Sequence, residues 1–313
     1  MSLQVLPNPV PPLRNHSLIY VHVGKTGGIS LDSVLQSNCM WYYGKSARDK
    51  CLRYFEQQES SSSSKLSDLT RATLHFGPRR DYNDWIHNAT LFLLTLRNPI
   101  ARTVSAFNFD HPSNHDPSRY GDQGLPDDTR RFFVDCFPTI HDLASSLRGG
   151  WKYSFTRTGK RCRSIAIQAL AGNGTKTAVP HLHMNYNYYH KLSTALYPDR
   201  PVLALRTEFL WHDLRRLDRM LGGDGDYQAN EITYTHGSQA FHVNQGLTGP
   251  EKKVLCCHLE PELQLYQDLI ERSINLLVSE KSEVFHLLYQ DCGRGMDTLI
   301  LSWQDWATTA CSI

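Results

Sequence analysis

The segment at residues 19–31 constrains the fold of this chain more than any other. It reads Ile-Tyr-Val-His-Val-Gly-Lys-Thr-Gly-Gly-Ile-Ser-Leu, so a β-branched run ends at Val23 and a glycine-rich turn follows. A helical pattern begins near Ile29. A strand, a glycine-rich turn and a helix N-terminus in succession bring main-chain N–H groups and the helix dipole to one point, where they favour an anion. The segment predicts an anion-binding loop, to which Lys25 adds a positive charge.

This loop differs from the loop that binds nucleoside triphosphates. That loop has the pattern Gly-x-x-x-x-Gly-Lys-Ser/Thr. In this chain Ile19 stands at the position of the first glycine, and Lys25 precedes the pair Gly27–Gly28 instead of following it. We therefore expect a phosphate-type loop in a protein that is not an ATPase.

A second segment, residues 91–107, predicts another strand followed by a helix. Its first six residues form an apolar run with the length of a buried strand. Asn98 and Pro99 favour the N-cap and the first turn of a helix. Arg97 then lies at the carboxyl end of the strand, where open parallel sheets bind ligands, and Ser105 lies about two turns into the helix. We expect the Arg97 guanidinium and the Ser105 hydroxyl to bind a second phosphate.

Together the two segments resemble the paired cofactor motifs of sulfotransferases. The chain has Lys-Thr-Gly-Gly-x-Ser from residue 25 and Arg-Asn-Pro-x-x-Arg-x-x-Ser from residue 97. The resemblance is greatest to Golgi carbohydrate enzymes, especially the heparan and uronyl 2-O-sulfotransferases. It implies 3′-phosphoadenosine 5′-phosphosulfate (PAPS) as donor, adenosine 3′,5′-bisphosphate (PAP) as product and no metal. It also implies an α/β, P-loop-like three-layer fold with a central, mostly parallel sheet flanked by helices.

The resemblance also assigns the cofactor contacts. Arg97 and Ser105 would bind the 3′-phosphate. The 5′-phosphosulfate would be bound by Lys25, Thr26, Gly27, Gly28, Ile29 and Ser30. Relatives often carry threonine or serine at the position of Ile29, so side-chain hydroxyls would come from Thr26 and Ser30.

A histidine between the two motifs is the predicted catalytic base. A sugar hydroxyl is a poor nucleophile until its proton is removed, and an imidazole can accept that proton near neutral pH. His75 ends a short apolar stretch, as the base does in the 2-O-sulfotransferase-like group. His22, inside the first strand, is the rival and is interpreted as structural. The predicted reaction is in-line sulfuryl transfer, in which Lys25 stabilises the transferring group and the departing phosphate.

The charge pattern bears on the acceptor. The chain has 33 Lys and Arg against 31 Asp and Glu, a net charge of +2, which does not indicate nucleic-acid binding. Residues 148–163 carry six cations and no acid, with Trp151, Tyr153 and Phe155 among them. This strip fits an anionic glycan, the predicted acceptor, or a solvated basic loop.

Other functions remain open. The main alternative is a cytosolic-type sulfotransferase that acts on a small hydroxyl compound, such as a sterol or a phenol. A P-loop kinase would need the full Gly-x-x-x-x-Gly-Lys-Ser/Thr pattern, in which Ile19 replaces the first glycine, and no magnesium carboxylate is evident after a strand. A non-catalytic glycan-binding relative would retain the fold without the loop or base residues that this chain keeps.

The cysteines favour disulfide bonds over a metal site. The chain has eight cysteines and no Cys-x-x-Cys pair, so the spacing does not indicate zinc. The plausible pairs are Cys39–Cys51, Cys136–Cys162, and Cys292 with either Cys256 or Cys257.

The same features bear on the compartment. Sequons at Asn15, Asn88 and Asn173 agree with a glycoprotein. Residues 1–17 hold four prolines and no apolar run, so no membrane anchor is recognised. We expect a Golgi-lumenal domain that lacks its anchor in this chain, and therefore no membrane contact by the chain itself. A cytoplasmic protein is the alternative.

The chain is expected to form one domain. Residues 1–16 are a proline-rich lead-in, residues 17–292 the predicted sulfotransferase domain, and residues 293–313 a C-terminal tail. Loop insertions are predicted near 56–68 and 110–128.

Some later elements are also predicted. Residues 201–206 have the pattern of a buried strand, followed by Thr207 as the N-cap of a helix through Met220. Apolar spacing predicts further helices over 29–38, 163–171, 250–258 and 261–278.

Overall fold

The computed structural model divides the chain into two compact units. The first unit comprises Met1–Arg97, Leu192–Thr235 and Leu269–Val278, and the second comprises Asn98–Lys191, His236–Asp268 and Ser279–Ile313. The residues that the structure describes are 17–27, 31, 70–74, 86–114, 125–149, 151–174, 179–223, 225, 246–293, 305–306 and 311. The helix expected over 29–38 and the loop near 56–68 lie outside the described residues, apart from Leu31. The assignment of 17–292 to a single domain stays a prediction.

A parallel four-stranded sheet forms the centre of the first unit. Its strands are β1 (Leu18–Val21), β2 (Thr70–Leu74), β3 (Leu91–Leu96) and β4 (Val202–Arg206), in the order β2-β1-β3-β4. Because every neighbouring pair is parallel, the carboxyl ends of the strands lie along one edge. The predicted α/β class with a central parallel sheet is confirmed, and so are the bounds of the strand expected at 91–96.

The described helices are numbered in chain order. They are α1 (Pro99–Asp110), α2 (Asp127–Arg130), α3 (Ile140–Arg148), α4 (Trp151–Phe155), α5 (Arg157–Leu170), α6 (Pro180–His183), α7 (Tyr186–Leu192), α8 (Leu210–Met220), α9 (Gly249–His258), α10 (Glu260–Arg272) and α11 (Val278–Asp291). A π-helical turn over Arg131–Cys136 continues α2. In the described part of the chain, none of the helices is both long and apolar enough to cross a membrane.

Helix α8 and the sheet share the core of the first unit. Alternate residues of a strand point to the same face, and the residues on the face towards α8 are Leu18, Tyr20, Leu91, Leu93, Leu203 and Leu205. They pack with a leucine stripe on α8 formed by Leu210, Leu214 and Leu217. Residues of the opposite face, such as Ile19 and Phe92, are equally buried. Burial of both faces explains why these strands are continuous apolar runs.

The N-terminus of α1 is built as the sequence predicts. Pro99 occupies the first turn, and the Asn98 Oδ1 accepts a hydrogen bond from the N–H of Ile100 at 2.9 Å. The Asn98 Nδ2 donates to the Asp291 carboxylate at 2.9 Å, and the Lys252 Nζ donates to the same carboxylate at 2.6 Å. Asp291 thereby orients the Asn98 amide so that its oxygen caps the helix.

Carboxylates also hold the middle and the end of α1 within the second unit. The buried Arg102 donates its Nε and Nη2 to Glu262 at 2.8 and 3.2 Å, and its Nη1 to the carbonyl of His181 at 2.9 Å. Asp110 accepts from the main-chain N–H of His181 at 3.1 Å and pairs with its Nδ1 at 2.6 Å. The second cofactor motif therefore contains an arginine whose donors are taken up by the protein itself.

Three predicted boundaries are wrong. Thr207 does not cap α8, because a 3-10 turn intervenes and α8 begins at Leu210. The helix expected over 261–278 ends at Arg272, and the N–H of Ile274 then donates to the carbonyl of Val202 at 3.0 Å, beside β4. The helix expected over 163–171 begins earlier, at Arg157. Its start is set by the Thr156 hydroxyl, which accepts from the N–H of Gly159 at 2.9 Å.

Disulfide bonds crosslink the second unit. The predicted bond Cys136–Cys162 is confirmed and joins the π-helical turn to α5. The structure contains three disulfides among its described residues, which indicates an oxidising, secreted or lumenal environment. The predicted pair Cys39–Cys51 lies outside the described residues.

The remaining two bonds resolve an alternative that the sequence leaves open. Cys256 pairs with Cys292, and its neighbour Cys257 pairs with Cys311. Part of the predicted C-terminal tail is therefore attached covalently to α9.

Candidate anion-binding site

The loop after β1 turns sharply at Lys25 and at Gly27. Their φ angles are 68° and 81°, both in the left-handed region. Lys25 is the only non-glycine residue with a positive φ in the described part of the chain. This conformation costs a residue with a Cβ roughly 1–2 kcal/mol. Such strain persists only where neighbouring contacts hold it, and it is concentrated at functional sites.

Two long-range contacts hold the strained loop. The Arg97 Nη1 donates to the carbonyl oxygen of Lys25 at 3.2 Å. The hydroxyl of Thr207, which directly follows β4, donates to the carbonyl oxygen of Thr26 at 2.6 Å. Because both carbonyl groups are bound from the sheet side, the turn cannot rotate without breaking a hydrogen bond. The two predicted motifs therefore meet at the main chain of Lys25.

A series of hydrogen-bonded hydroxyl groups connects the loop to β1 and β3. The Thr26 hydroxyl donates to the carbonyl oxygen of Val23 at 2.7 Å and lies 2.6 Å from the Thr95 Oγ1, which in turn lies 3.2 Å from the Tyr20 hydroxyl. A carbonyl only accepts, so the hydrogens run from Tyr20 through Thr95 and Thr26 to Val23. The Thr26 hydroxyl hydrogen is thus directed into the fold in this structure. Its main-chain N–H is the donor left for an anion.

Main-chain N–H groups of the loop remain available. Within the described residues, the N–H groups of Gly24, Thr26 and Gly27 make no hydrogen bond, although Gly24 and Thr26 are buried. A buried N–H without a partner is costly and rare, so the two buried groups, with that of Gly27 beside them, indicate a site for an acceptor. An anionic group such as a phosphate or a sulfate offers several acceptor oxygens at once.

Positive charge reinforces these N–H groups. Lys25 and Arg97 are both half-buried, so their charges are screened less than those of exposed side chains. The helical residue Leu31 donates its N–H to the carbonyl of Gly27 at 3.4 Å. The arrangement can bind a multiply charged anion and stabilise charge that develops on it.

A second arginine at this edge of the sheet has a structural role. Arg206 ends β4 and donates its Nε and Nη2 to the buried Asp213 at 2.8 and 2.6 Å. Its main-chain N–H donates to the same carboxylate at 2.9 Å. The ion pair fixes the connection between β4 and α8, and with it the position of Thr207.

The structure gathers part of the predicted site. Lys25, Thr26 and Gly27 meet Arg97 in the first unit. Ser105 lies half-buried on α1, in the second unit. The predicted site residues outside the described part of the chain are Gly28, Ile29, Ser30 and His75. The role of every predicted site residue, Lys25 and Arg97 included, stays a prediction.

Two loop-holding residues were missed in the sequence. Thr95 is the only hydroxyl residue in the strand Leu91–Leu96, and a polar residue inside a buried strand indicates a specific hydrogen bond. Thr207 is the first residue after β4, at the carboxyl edge where parallel sheets bind ligands. The sequence pattern marks both positions as unusual, but it does not identify the residue that each threonine contacts.

Comparison with known proteins agrees with the motifs. A family model described as Sulfotransferase family matches residues 13–125, roughly a third of the chain, and this region contains both motifs. Neither the curated proteins nor the solved structures yield a significant match. The family match supports a sulfotransferase, an enzyme that transfers a sulfuryl group to a hydroxyl acceptor.

Proposed function

We propose that this chain is a PAPS-dependent O-sulfotransferase that acts on a carbohydrate hydroxyl in the Golgi lumen. The observation that carries the proposal is the loop Gly24–Gly27. The fold binds the carbonyl groups of Lys25 and Thr26, while three N–H groups of the loop have no acceptor among the described residues. The family match over both motifs supports the sulfuryl donor. The disulfides support a lumenal enzyme over a cytosolic one.

Different residues would bind different groups of the donor. PAPS supplies the sulfuryl group. The N–H groups of Gly24, Thr26 and Gly27 would hold its 5′-phosphosulfate, together with Gly28, Ile29 and Ser30 further along the loop, and Arg97 with Ser105 would hold its 3′-phosphate. Lys25 offsets the charge that develops on the bridging oxygen as the sulfur–oxygen bond breaks and PAP departs.

His75 completes the proposed chemistry as the base. It takes the proton of the acceptor hydroxyl while the hydroxyl oxygen forms the new bond to sulfur. The position of its chain neighbour supports this role, because Leu74 ends β2 opposite Val21 and its carbonyl accepts from the N–H of His22 at 3.0 Å. The carboxyl end of β2 thus adjoins the strand that leads into the loop.

Calorimetric titration of the protein with PAP, ADP and 5′-AMP tests the donor. We expect PAP to bind at least about tenfold more tightly than 5′-AMP, because a second phosphate adds charge-assisted hydrogen bonds. Binding of ADP or ATP as tight as that of PAP would contradict the proposal and favour a kinase.

Two histidine variants test the base. His75→Ala should abolish transfer from PAPS while PAP affinity stays unchanged, because the base touches the acceptor and not the nucleotide. His22→Gln serves as the matched control, since His22 is buried and stacks on Tyr20 at 5.6 Å between ring centroids. Near-normal turnover in the His75 variant, with loss in the His22 variant, would assign the base to His22.

A further inference from the structure

An unusually long stretch of the chain, most of it in the second unit, contains no acidic residue. Residues 143–198 include no Asp or Glu, although the whole chain has 31 in 313 residues. The same stretch carries eight cations. They are Arg148, Lys152, Arg157, Lys160, Arg161, Arg163, Lys176 and Lys191. The near-neutral net charge of the protein therefore conceals a strongly positive region.

The described cations of α3 and α5 are not neutralised from elsewhere. Arg148, Arg157, Lys160, Arg161 and Arg163 form no ion pair with any residue in the part of the chain that the structure describes. Other arginines do form ion pairs with acids. On the preceding helical segment, for example, Arg130 pairs with Asp127 at 2.9 Å and Arg131 with Asp128 at 3.5 Å. The arginines and the lysine of α3 and α5 therefore carry positive charge that no described acid neutralises.

Helical spacing presents these charges together. Arg157, Lys160 and Arg161 are exposed on one face of α5, while residues of the opposite face, such as Cys162 and Ala166, are buried. Arg163 connects this face with the end of α3. Its Cζ lies 3.3 Å from the position a Cβ would take on Gly149, the residue after Arg148. The absence of a side chain at Gly149 lets the guanidinium lie there.

The placement of the cations is unfavourable for α5 itself. Arg157 and Lys160 stand in the first turn of the helix, where the dipole disfavours positive charge, and the first turn contains no acid. Phe155, just before the helix, is 66% exposed. Neighbouring like charges and cations at a helix N-terminus are unfavourable for folding. An exposed aromatic ring beside them is typical of an interaction surface. Together these features indicate a surface that serves binding.

We propose that this basic surface, formed by Arg148, Phe155, Arg157, Lys160, Arg161 and Arg163, binds a sulfated or carboxylated polysaccharide. The spaced cations suit the regularly spaced anions of such a chain, and the Phe155 ring suits the apolar face of a sugar. The bond Cys136–Cys162 anchors α5 itself and indicates an oxidising compartment, where anionic polymers are glycans and not nucleic acids. The inference rests on the proposed function by naming the acceptor class, but binding is measurable without any donor.

Affinity for heparin, measured calorimetrically without nucleotide, tests the surface. At about 0.15 M salt we expect Arg157→Gln/Arg161→Gln to weaken binding about tenfold or more and to flatten its salt dependence, because two ionic contacts are lost. The matched control Arg130→Gln/Arg131→Gln removes the same charge from one exposed and one half-buried helical position, and its affinity should stay within about twofold. Phe155→Ala should weaken binding without changing the salt dependence.

Several outcomes would overturn the inference. They are no binding of heparin by the unmodified protein, an equal loss in both double variants, or tighter binding of single-stranded DNA or anionic vesicles that depends on the same arginines. Titration with PAP in parallel separates the two proposals. Heparin binding that depends on these arginines, without PAP binding, would keep this surface and remove the proposed function.

Discussion

Arg97 and Arg102 belong to one motif, five residues apart, yet their contacts differ in kind. Arg97, in the first unit, donates to the main-chain carbonyl of Lys25. Arg102, in the second unit, forms a buried bidentate pair with Glu262. A carbonyl accepts a hydrogen bond but leaves the formal charge of the guanidinium in place, whereas a carboxylate cancels it.

The elements around the two arginines also differ in whether carbonyl groups or carboxylates accept their hydrogen bonds. The loop after β1 is held by hydroxyls and by Arg97, all acting on carbonyl groups. Helix α1 is held by carboxylates, namely Asp291 at its start, Glu262 in its middle and Asp110 at its end. These loop contacts to carbonyl groups cancel no formal charge, whereas those of α1 pair opposite charges.

The largest effect is expected at Lys25. Lys25→Ala and Lys25→Gly should each lower kcat by roughly 100- to 1000-fold or more, because a donor to the transition-state charge is lost. The glycine variant should be more stable than the alanine variant by about 1 kcal/mol, because glycine has no penalty at φ 68°. Sulfate transfer from PAPS and urea unfolding measure the two quantities.

Lys191→Ala, at an exposed position of α7, serves as the control for Lys25. Transfer activity in the glycine variant near that of this control would show that the backbone conformation at residue 25, and not the ammonium group, is what the loop contributes.

The next effect, on stability, is expected at the ion pair of α1. Glu262→Ala should lower the free energy of unfolding by about 3–5 kcal/mol, because Arg102 would remain buried without its carboxylate. Asp127→Ala, which breaks the exposed pair with Arg130, should cost less than about 1 kcal/mol. Urea unfolding monitored by circular dichroism gives both values. A loss of stability in Glu262→Ala no greater than that in Asp127→Ala would refute a special stabilising role for the buried pair Arg102–Glu262.

Local features of the fold were predictable from the sequence, and long-range contacts were not. The strand Leu91–Leu96, the Asn98 cap and the glycine turn after β1 depend on neighbours in the sequence, so composition and spacing identify them. The contact of Arg97 with Lys25 joins residues 72 apart, and that of Thr207 with Thr26 joins residues 181 apart. Periodicity carries no information about such pairs.

The disulfides show the same limit. Cys136–Cys162 was predicted, but Cys256 and Cys257 are adjacent on a helix and point about 100° apart, since a helix has about 3.6 residues per turn. Which of them faces Cys292 depends on the packing of α9 against α11. Sequence spacing does not determine that packing.

Arg97 provides the test of whether its charge acts on the ligand. Arg97→Ala should weaken PAP binding about 10- to 100-fold, which corresponds to roughly 1.4–2.8 kcal/mol. If Arg97 binds the 3′-phosphate, PAP and 5′-AMP should bind the variant with nearly equal affinity. If Arg97 only holds the Lys25 carbonyl, both affinities should fall by the same factor. Calorimetry with the two nucleotides distinguishes these results, and Arg130→Ala is the control.

The smallest effect is expected from Thr95→Val, which keeps the shape of the side chain and removes one hydroxyl. The Tyr20 hydroxyl would lose its acceptor and the Thr26 Oγ1 its donor, so unfolding should become easier by about 1–3 kcal/mol. Thr158→Val, at an exposed position of α5, should change stability by less than about 0.5 kcal/mol. PAP affinity should fall only a few-fold, since Arg97 and Thr207 still hold the loop carbonyls. A loss of PAP affinity as large as that in Arg97→Ala would mean that the neutral hydroxyls, and not the charge of Arg97, dominate donor binding.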